Sequence, residues 1–225
     1  MNRLDYKLYY HRHLPHIVPP DSTFFVTFRL VDSIPKSVVR SYQGKIDLLE
    51  NETTRVLKQE GESPLAIAQL ERLLAFKREW YAKFEDVLHK AIVGPAWLKD
   101  KRVAQIVADG LHFLDNRAYK LNAYCVMSNH VHTVFRPLLT ESGSQFSLAR
   151  IMKSIKGYTA REANRVLGRK GNFWEPENYD HYVRDATEYE RIIRYVLNNP
   201  VKAGLVSHWQ EWEWNYLQTG ERTTS

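Results

Sequence analysis

A run of fifteen residues, 121–135, contains no Asp, Glu, Lys or Arg and constrains the fold of this chain more than any other feature. The run lies in a stretch rich in aromatic and β-branched residues, which is typical of buried strands. Met127, Ser128 and Asn129 interrupt it, so we expect two antiparallel strands joined by a tight turn. At this length, and with two histidines, the run is too short and too polar to span a bilayer.

The pattern along the rest of the chain predicts an α+β fold, with helices on one face of an antiparallel sheet. Strands are expected at residues 24–31 and 181–184. Helical spacing of apolar residues predicts helices at 37–59, 65–90, 98–114, 147–167 and 187–198. We interpret the helical segment at about 36–115 as an elaboration of a single domain that spans residues 1–225.

The composition favours a soluble protein of a reducing compartment. Charged residues make up 26% of the chain and hydrophobic residues 44%. Cys125 is the only cysteine, which excludes a disulfide scaffold and a cysteine-rich zinc module. The N-terminus has no apolar stretch followed by a cleavage site, so no signal peptide is expected. We therefore predict a cytoplasmic protein that does not enter a membrane.

The positive charge of the chain is concentrated in residues 144–172. This segment carries one acid, Glu162, and the whole net charge of the protein, +6. Its basic residues are Arg150, Lys153, Lys156, Arg161, Arg165, Arg169 and Lys170. A focused basic segment suits contact with a phosphate backbone, because each neutralised phosphate releases counterions. The same pattern also occurs on a solvated helix face, and charge alone does not separate the two.

His130 and His132 are spaced to lie on the same face of the second strand of the pair. Neutral imidazole is a good ligand for divalent metals, so the two side chains could chelate one ion. A second pair at the same spacing, His11 and His13, shows that the spacing by itself is weak. The first pair differs because it interrupts an apolar strand, where unpartnered imidazoles would be costly. Structural histidines with satisfied hydrogen bonds remain the alternative.

Among the thirteen tyrosines, Tyr195 alone has an Asn or Gln four residues further on, namely Asn199. One helical turn separates the two, so a single helix end could provide both a nucleophile and a third metal ligand. The alternative is a half-buried aromatic residue and a capping residue before Pro200. Tyr158 is the competing nucleophile, but its direction on the helix favours a packing role.

These motifs together resemble a known protein family. The matching segments are CVMSNHVH at 125–132, KGYT at 156–159, Phe173-Trp174 and YVLNNPVKAGL at 195–205, with RHLPH at 12–16 and FVTFR at 25–29 near the start. They resemble the REP-associated tyrosine transposases, which belong to the IS200/IS605-like class of HUH single-strand nucleases. The resemblance covers residues 12–30 and about 117–206.

This resemblance implies a ferredoxin-like sheet with a Mg²⁺ or Mn²⁺ site at His130, His132 and Asn199. It also implies that Tyr195 is the nucleophile. The expected activity is that of a metal-dependent single-stranded DNA nickase and strand transferase. Such an enzyme would act on repetitive palindromic hairpins through a covalent 5′-phosphotyrosine.

The expected partner is single-stranded or hairpin DNA, bound by a monomer or a homodimer. We expect the basic helix to follow the phosphates through Arg150, Lys153, Lys156, Arg161 and Arg165. Phe173 and Trp174 are candidates for stacking on unpaired bases. The resemblance makes Arg12 and His16 candidates for reading bases beside the hairpin. Two alternatives stay open: a catalytically silent hairpin-binding protein, and a metal-dependent hydrolase of small substrates.

Overall fold

The structure, a computed structural model, describes residues 22–61, 63–90, 94–141 and 143–218. Arg12 and His16, the predicted base-reading residues, lie outside the described residues. The described residues form two compact units, one made of 22–31 with 95–218 and the other of 32–94. Each unit has its own cluster of buried apolar side chains.

The helices and strands follow the predicted order, except that a short helix at 199–202 and one strand were not predicted and another strand starts earlier than expected. The elements are β1 (Phe24–Leu30), α1 (Lys36–Glu60), α2 (Pro64–Lys90), α3 (Lys101–Leu114), β2 (Tyr119–Val126), β3 (His130–Pro137), α4 (Leu148–Val166), β4 (Trp174–Tyr182), α5 (Ala186–Leu197), α6 (Asn199–Lys202) and β5 (Asn215–Leu217). Strand β4 starts well before the predicted 181–184, and β5 was not predicted. Both are edge strands, and β4 contains Pro176 and several acidic residues, so strand propensity does not identify it.

The sheet has the strand order β4-β1-β3-β2-β5, and all neighbouring strands are antiparallel. The first four strands with α3 and α4 follow the β-α-β-β-α-β connection of the ferredoxin-like fold. The predicted α+β class with a ferredoxin-like antiparallel sheet is therefore confirmed. Strand β5 extends the sheet beyond β2.

The two faces of the sheet are covered by different helices. Successive strand residues point to opposite faces, and Val26 and Phe28 of β1 lie in the main core with side chains of α3 and α4. Phe25 points to the other face, where it contacts the ring of Tyr195 from α5. A helix layer on one face of the sheet was predicted, but α3 was assigned to the helical elaboration and not to this layer. The position of α5 on the opposite face, towards which the histidines of β3 point, was not predicted.

Residues 32–94 form a separate helical unit in which α1 and α2 pack against each other. Its buried side chains include Ile46, Leu49 and Leu73, and the ring of Tyr42 stacks on that of Trp80 at 4.5 Å. Helix α3 belongs to the sheet unit instead, so the predicted elaboration at 36–115 includes a helix of the ferredoxin-like core. None of the helices in the described part of the chain has both the length and the apolar character needed to cross a membrane.

Gly110 of α3 lies where this helix meets α4. A Cβ atom at this position would be 2.8 Å from Cγ2 of Thr159. Thr159 is fully buried, and its hydroxyl donates to the Ile155 carbonyl and accepts from Trp174 Nε1. These bonds hold the threonine in place, so it has little freedom to yield to a larger neighbour.

We expect Gly110→Ala to lower the free energy of unfolding by about 1–3 kcal/mol because of overpacking. This loss is expected even though alanine favours a helix over glycine by about 1 kcal/mol. Urea denaturation measures the change. Gly157→Ala in α4 is the matched control: a Cβ atom there would have no other atom within 4 Å, so this variant should be neutral or stabilising. Adding Thr159→Ser, which removes Cγ2, should recover most of the loss; no recovery would contradict this explanation.

Candidate active site

The turn between β2 and β3 fixes the position of the first histidine. Ser128 and Asn129 form its tip, and the Met127 amide donates to the His130 carbonyl at 2.9 Å. The Asn129 carbonyl accepts from the Leu30 amide at 2.8 Å, and the Ser128 carbonyl accepts from the Leu98 amide. Because both turn carbonyls are bonded to neighbouring segments, the start of β3 is tied to β1 and to the residues before α3.

His130 and His132 lie side by side on the face of the sheet opposite the helix layer. Pairing of β1 with β3 places His130 opposite Arg29 and His132 opposite Thr27. Both imidazoles are buried, with 1% and 0% of their surface exposed. Their Nε2 atoms lie 3.0 Å apart. Two nitrogen ligands at cis positions, each about 2.1 Å from one ion, are separated by about 3 Å, so this spacing fits a shared divalent cation.

The outer ring nitrogens of both histidines are held by polar partners that the sequence did not reveal. His130 Nδ1 donates to Asn129 Oδ1 at 2.6 Å, because an amide oxygen can only accept. This bond leaves the lone pair of His130 on Nε2. His132 Nδ1 lies 2.8 Å from the Thr27 hydroxyl. A hydroxyl can donate or accept, so by rotation it can favour the His132 tautomer whose Nε2 is also available to a metal.

Tyr195 and Asn199 come from the end of α5 and the start of α6. The half-buried ring of Tyr195 contacts the His132 ring edge to face, with centroids 5.6 Å apart. Asn199 is fully buried, and its Nδ2 donates to the Tyr195 carbonyl at 3.2 Å. This bond is the capping interaction considered from the sequence, and it also holds the amide one turn from the phenol.

This part of the chain is similar to known proteins. Residues 97–199 match the family model described as Transposase IS200 like. The matched range contains both histidines of β3 as well as Tyr195 and Asn199. Residues 97–199 are therefore similar to the IS200-like transposases.

Two curated proteins are similar to the same part of the chain. A REP-associated tyrosine transposase of Escherichia coli is 30% identical over 97 residues, which cover 43% of this chain and 53% of that protein. A curated relative from Haemophilus influenzae is 21% identical over 98 residues, which cover 41% and 56% of the two proteins. The chain thus spans about half the length of these relatives. The resemblance expected from the motifs is confirmed.

One solved structure, described as a REP-associated tyrosine transposase bound to a REP hairpin, is also similar to this chain. The similarity has a TM-score of 0.44 and a sequence identity of 16%, and it covers 94% of this chain and 81% of the other.

The N-terminus of α5 is anchored to the sheet through Glu188. This buried carboxylate lies 2.7 Å from Arg184, 3.1 Å from Arg191 and 3.2 Å from His181 of β4. Asp185 caps the helix by accepting from the Glu188 amide. Burial raises the pKa of Glu188, but hydrogen bonds from Arg184 and the neighbouring His181 outweigh it and lower the pKa to about 2.

The C-terminal end of α5 is held by residues that follow it in the chain. Asn215 of β5 donates from Nδ2 to the Leu197 carbonyl at 2.9 Å and to the Trp209 carbonyl at 2.8 Å. Trp212 Nε1 donates to the Val126 carbonyl of β2. The segment after α6 therefore connects the sheet edge to the helix end that carries Tyr195. The spacing of Asp185 and Glu188 is a recognisable capping signal, whereas nothing in the sequence identifies the role of Asn215.

Five of the seven basic residues of the segment 144–172 lie on α4, on the other side of the sheet from the histidines. Arg150 and Lys153 are exposed, and so are Arg161 and Arg165, which both pair with Glu162. Lys156 differs, because its Nζ donates to the Pro176 carbonyl of β4 at 2.8 Å. Burial, with Arg29 nearby, lowers the pKa of Lys156 to about 8. Lys156 therefore links α4 to β4 through this hydrogen bond and also contributes positive charge.

Three aromatic residues have surroundings that differ from the expectations. Tyr158, predicted to pack in the core, is 44% exposed and lies beside Arg161 on the outer side of α4. The sheet separates it from the histidine pair. Phe173 and Trp174, the candidates for base stacking, are 1% and 6% exposed and belong to the main core. They are structural because their rings fill the space between the sheet and the residues before α3.

The Glu188 anchor predicts a loss of stability in acid. Its pKa of about 2 lies below the ordinary value of 4.5, so the folded state favours the carboxylate. The stabilisation is therefore complete above about pH 4.5 and is lost as the pH falls towards 2. Glu188→Gln should cost about 1–2 kcal/mol of unfolding free energy at pH 7 and much less near pH 2.5.

Urea denaturation of both proteins at several pH values measures this difference. Glu190→Gln, an exposed position on the same helix, is the control and should change little at any pH. A Glu188→Gln penalty of the same size at pH 7 and pH 2.5 would contradict the electrostatic role.

Proposed function

We propose that this chain is a metal-dependent single-stranded DNA nickase and strand transferase that acts on repetitive palindromic hairpins. The observation that carries the proposal is the contact within one chain between the Tyr195 ring and the His132 ring, whose Nε2 faces that of His130. A phenol beside a pair of converging imidazoles suits phosphoryl transfer. The IS200-like domain and the name of the Escherichia coli relative support DNA as the substrate.

His130 and His132 would hold a Mg²⁺ or Mn²⁺ ion through Nε2, with the Asn199 amide as a third ligand. When bound, such an ion supplies positive charge that polarises a phosphodiester oxygen. Imidazoles and an amide are neutral ligands, so they do not offset that charge. Asn129 and Thr27 would hold the imidazoles in the tautomers that face the ion.

Tyr195 would act as the nucleophile. Its phenolic oxygen forms a bond to the phosphorus, the bond from phosphorus to the 3′ oxygen breaks, and the phenol loses its proton. The departing 3′ oxygen takes up a proton, leaving a 3′-hydroxyl and a 5′-phosphotyrosine. The 3′-hydroxyl of a second strand can reverse the step. The energy of the broken ester bond is kept in the new one, so strand transfer needs neither hydrolysis nor ATP.

The exposed basic side chains of α4 would bind the phosphates of the hairpin. Arg150 and Lys153 are solvent-exposed, and Arg161 and Arg165 share a single acidic partner, so the surface keeps a positive charge. Because α4 and the histidine pair lie on different faces of the sheet, one DNA molecule would contact both faces around a sheet edge. Arg12 and His16 are proposed to read the bases beside the hairpin.

Cleavage would need one protein chain only, because Tyr195 contacts the histidine of its own chain. This supports a site that works in a monomer, and a homodimer would contain two such sites. Cys125, the one cysteine of the sequence, is buried in β2, which suits the reducing cytoplasm.

The nucleophile is tested with Tyr195→Phe. We expect this variant to bind labelled single-stranded hairpins as the native protein does but to form no covalent adduct, because the phenolic oxygen is missing. Incubation with Mn²⁺ followed by a denaturing gel measures the adduct, and mass spectrometry locates it. Tyr158→Phe is the matched control and should keep full adduct formation, since its ring lies on the other side of the sheet.

In the same assay, His130→Ala and addition of EDTA should each lower adduct formation about 100-fold or more, with hairpin affinity retained. Native protein that binds hairpins but forms no adduct would make this chain the silent binding protein. Adducts that persist in Tyr195→Phe would assign the nucleophile to another residue.

The binding surface is tested by the salt dependence of hairpin affinity. Removing Arg150 and Lys153 together by substitution with alanine should weaken binding and reduce the slope of log K against log salt by about 2. Lys99→Ala, also exposed but outside α4, is the control and should leave the slope nearly unchanged. An unchanged slope in the double variant would remove α4 from the DNA interface.

A further inference from the structure

Lys202, the last residue of α6, lies over the ring of Tyr195. Its Nζ is 4.9 Å from the ring centroid, within the range of a cation–π interaction. No spacing or composition signal in the sequence singles out this lysine. Lys202 follows Tyr195 by seven positions, which is about two helical turns.

The helix is interrupted at Asn198, between Tyr195 and Lys202. Helix α5 ends at Leu197, and α6 runs over Asn199–Lys202. Three asparagine side chains hold this junction: Asn198 donates to the Arg194 carbonyl, Asn199 to the Tyr195 carbonyl and Asn215 to the Leu197 carbonyl. These hydrogen bonds stabilise the backbone between Tyr195 and Lys202.

The Tyr195 ring therefore contacts two aromatic rings and the ammonium group of Lys202. Phe25 contacts it edge to face with centroids 5.8 Å apart, and His132 does so at 5.6 Å. Lys202 itself is exposed, so its ammonium is accessible to a polyanion. Lysine binds phosphate as a mobile point charge. No acidic residue occurs between Arg191 and Gln210, so Lys202 belongs to a segment of the sequence with only basic charges.

We propose that Lys202 is a positioning residue for strand cleavage, which holds the phenol ring of Tyr195 and orients the phosphate that this phenol attacks. This proposal rests on the proposed function of Tyr195. This role differs from the general electrostatic attraction of DNA, because the charge of Lys202 lies at the nucleophile and not on the basic surface of α4. Its loss should slow the covalent step more than it weakens binding.

The test compares Lys202→Met, Lys202→Arg and Lys120→Met. Methionine keeps an unbranched stem over the ring but removes the charge, whereas arginine keeps the charge. Lys120 is an exposed lysine of β2, so Lys120→Met controls for the loss of one positive charge. Single-turnover adduct formation is followed on a labelled single-stranded hairpin with Mn²⁺ over a range of DNA concentrations. The saturating rate and the half-saturating concentration are then determined separately.

We expect Lys202→Met to lower the saturating rate about tenfold, with a change of less than about threefold in the half-saturating concentration. Lys202→Arg should restore most of the rate, and Lys120→Met should match the native protein. Thermal unfolding midpoints that agree within about 2 °C would show that the variants are folded. A native rate in Lys202→Met, or a loss in affinity alone, would overturn the proposal.

The native protein separates this result from a failure of the proposed function. If native protein forms an adduct at Tyr195 and Lys202→Met forms it equally fast, only the role of Lys202 is wrong. If native protein forms no adduct at all, the function proposed for Tyr195 is wrong and the role of Lys202 falls with it.

Discussion

The antiparallel pairing of β1 with β3 is the constraint on which the rest of this structure depends. It places Thr27 opposite His132 and ties the turn before His130 to the end of β1. Side chains alternate between the two faces, so a shift by one residue would turn the histidines into the apolar core and expose the core residues to the other side. The burial of Val131 and Phe135 therefore fixes the register in which the two imidazoles face each other.

In a ferredoxin-like sheet with two helices, the helices cover only one face. The strand cleavage proposed for this protein takes place on the other face, where the histidines lie. In this protein α5 lies on that second face. The contacts of Glu188 with His181 of β4 and with Arg184 hold the start of α5, and hydrogen bonds from Asn215 hold its end. These contacts join segments far apart in the chain. They place the Tyr195 ring against the His132 ring of the same chain. Without these contacts, α5 would have no fixed position relative to the sheet.

Positive charge and candidate ligands occupy different sides of the same sheet. The apolar side of α4 packs on the core, so its basic residues point outwards on the helix layer. The residues of the basic segment are not equivalent. Arg169 stacks over Trp97 with its guanidinium 3.6 Å from the ring centroid, and Lys156 bonds to carbonyls of β4. Part of the charge that suggests nucleic acid binding therefore also holds the loop after α4 and the edge strand in place.

The sequence by itself determined the central features: the hairpin of β2 and β3, the helices with strong periodicity, the shared face of His130 and His132, and the pairing of Tyr195 with Asn199. These follow from spacing within one element, which local backbone geometry dictates. Only the tertiary structure decided that α5 lies against the histidines, that Thr27 and Asn129 bond to their rings, that Tyr158 is exposed and that Lys202 reaches Tyr195. The tertiary structure also decided where β4 and β5 form. Both are edge strands with weak strand propensity, and they are held by hydrogen bonds to strands distant in the sequence. A local sequence pattern does not encode such bonds.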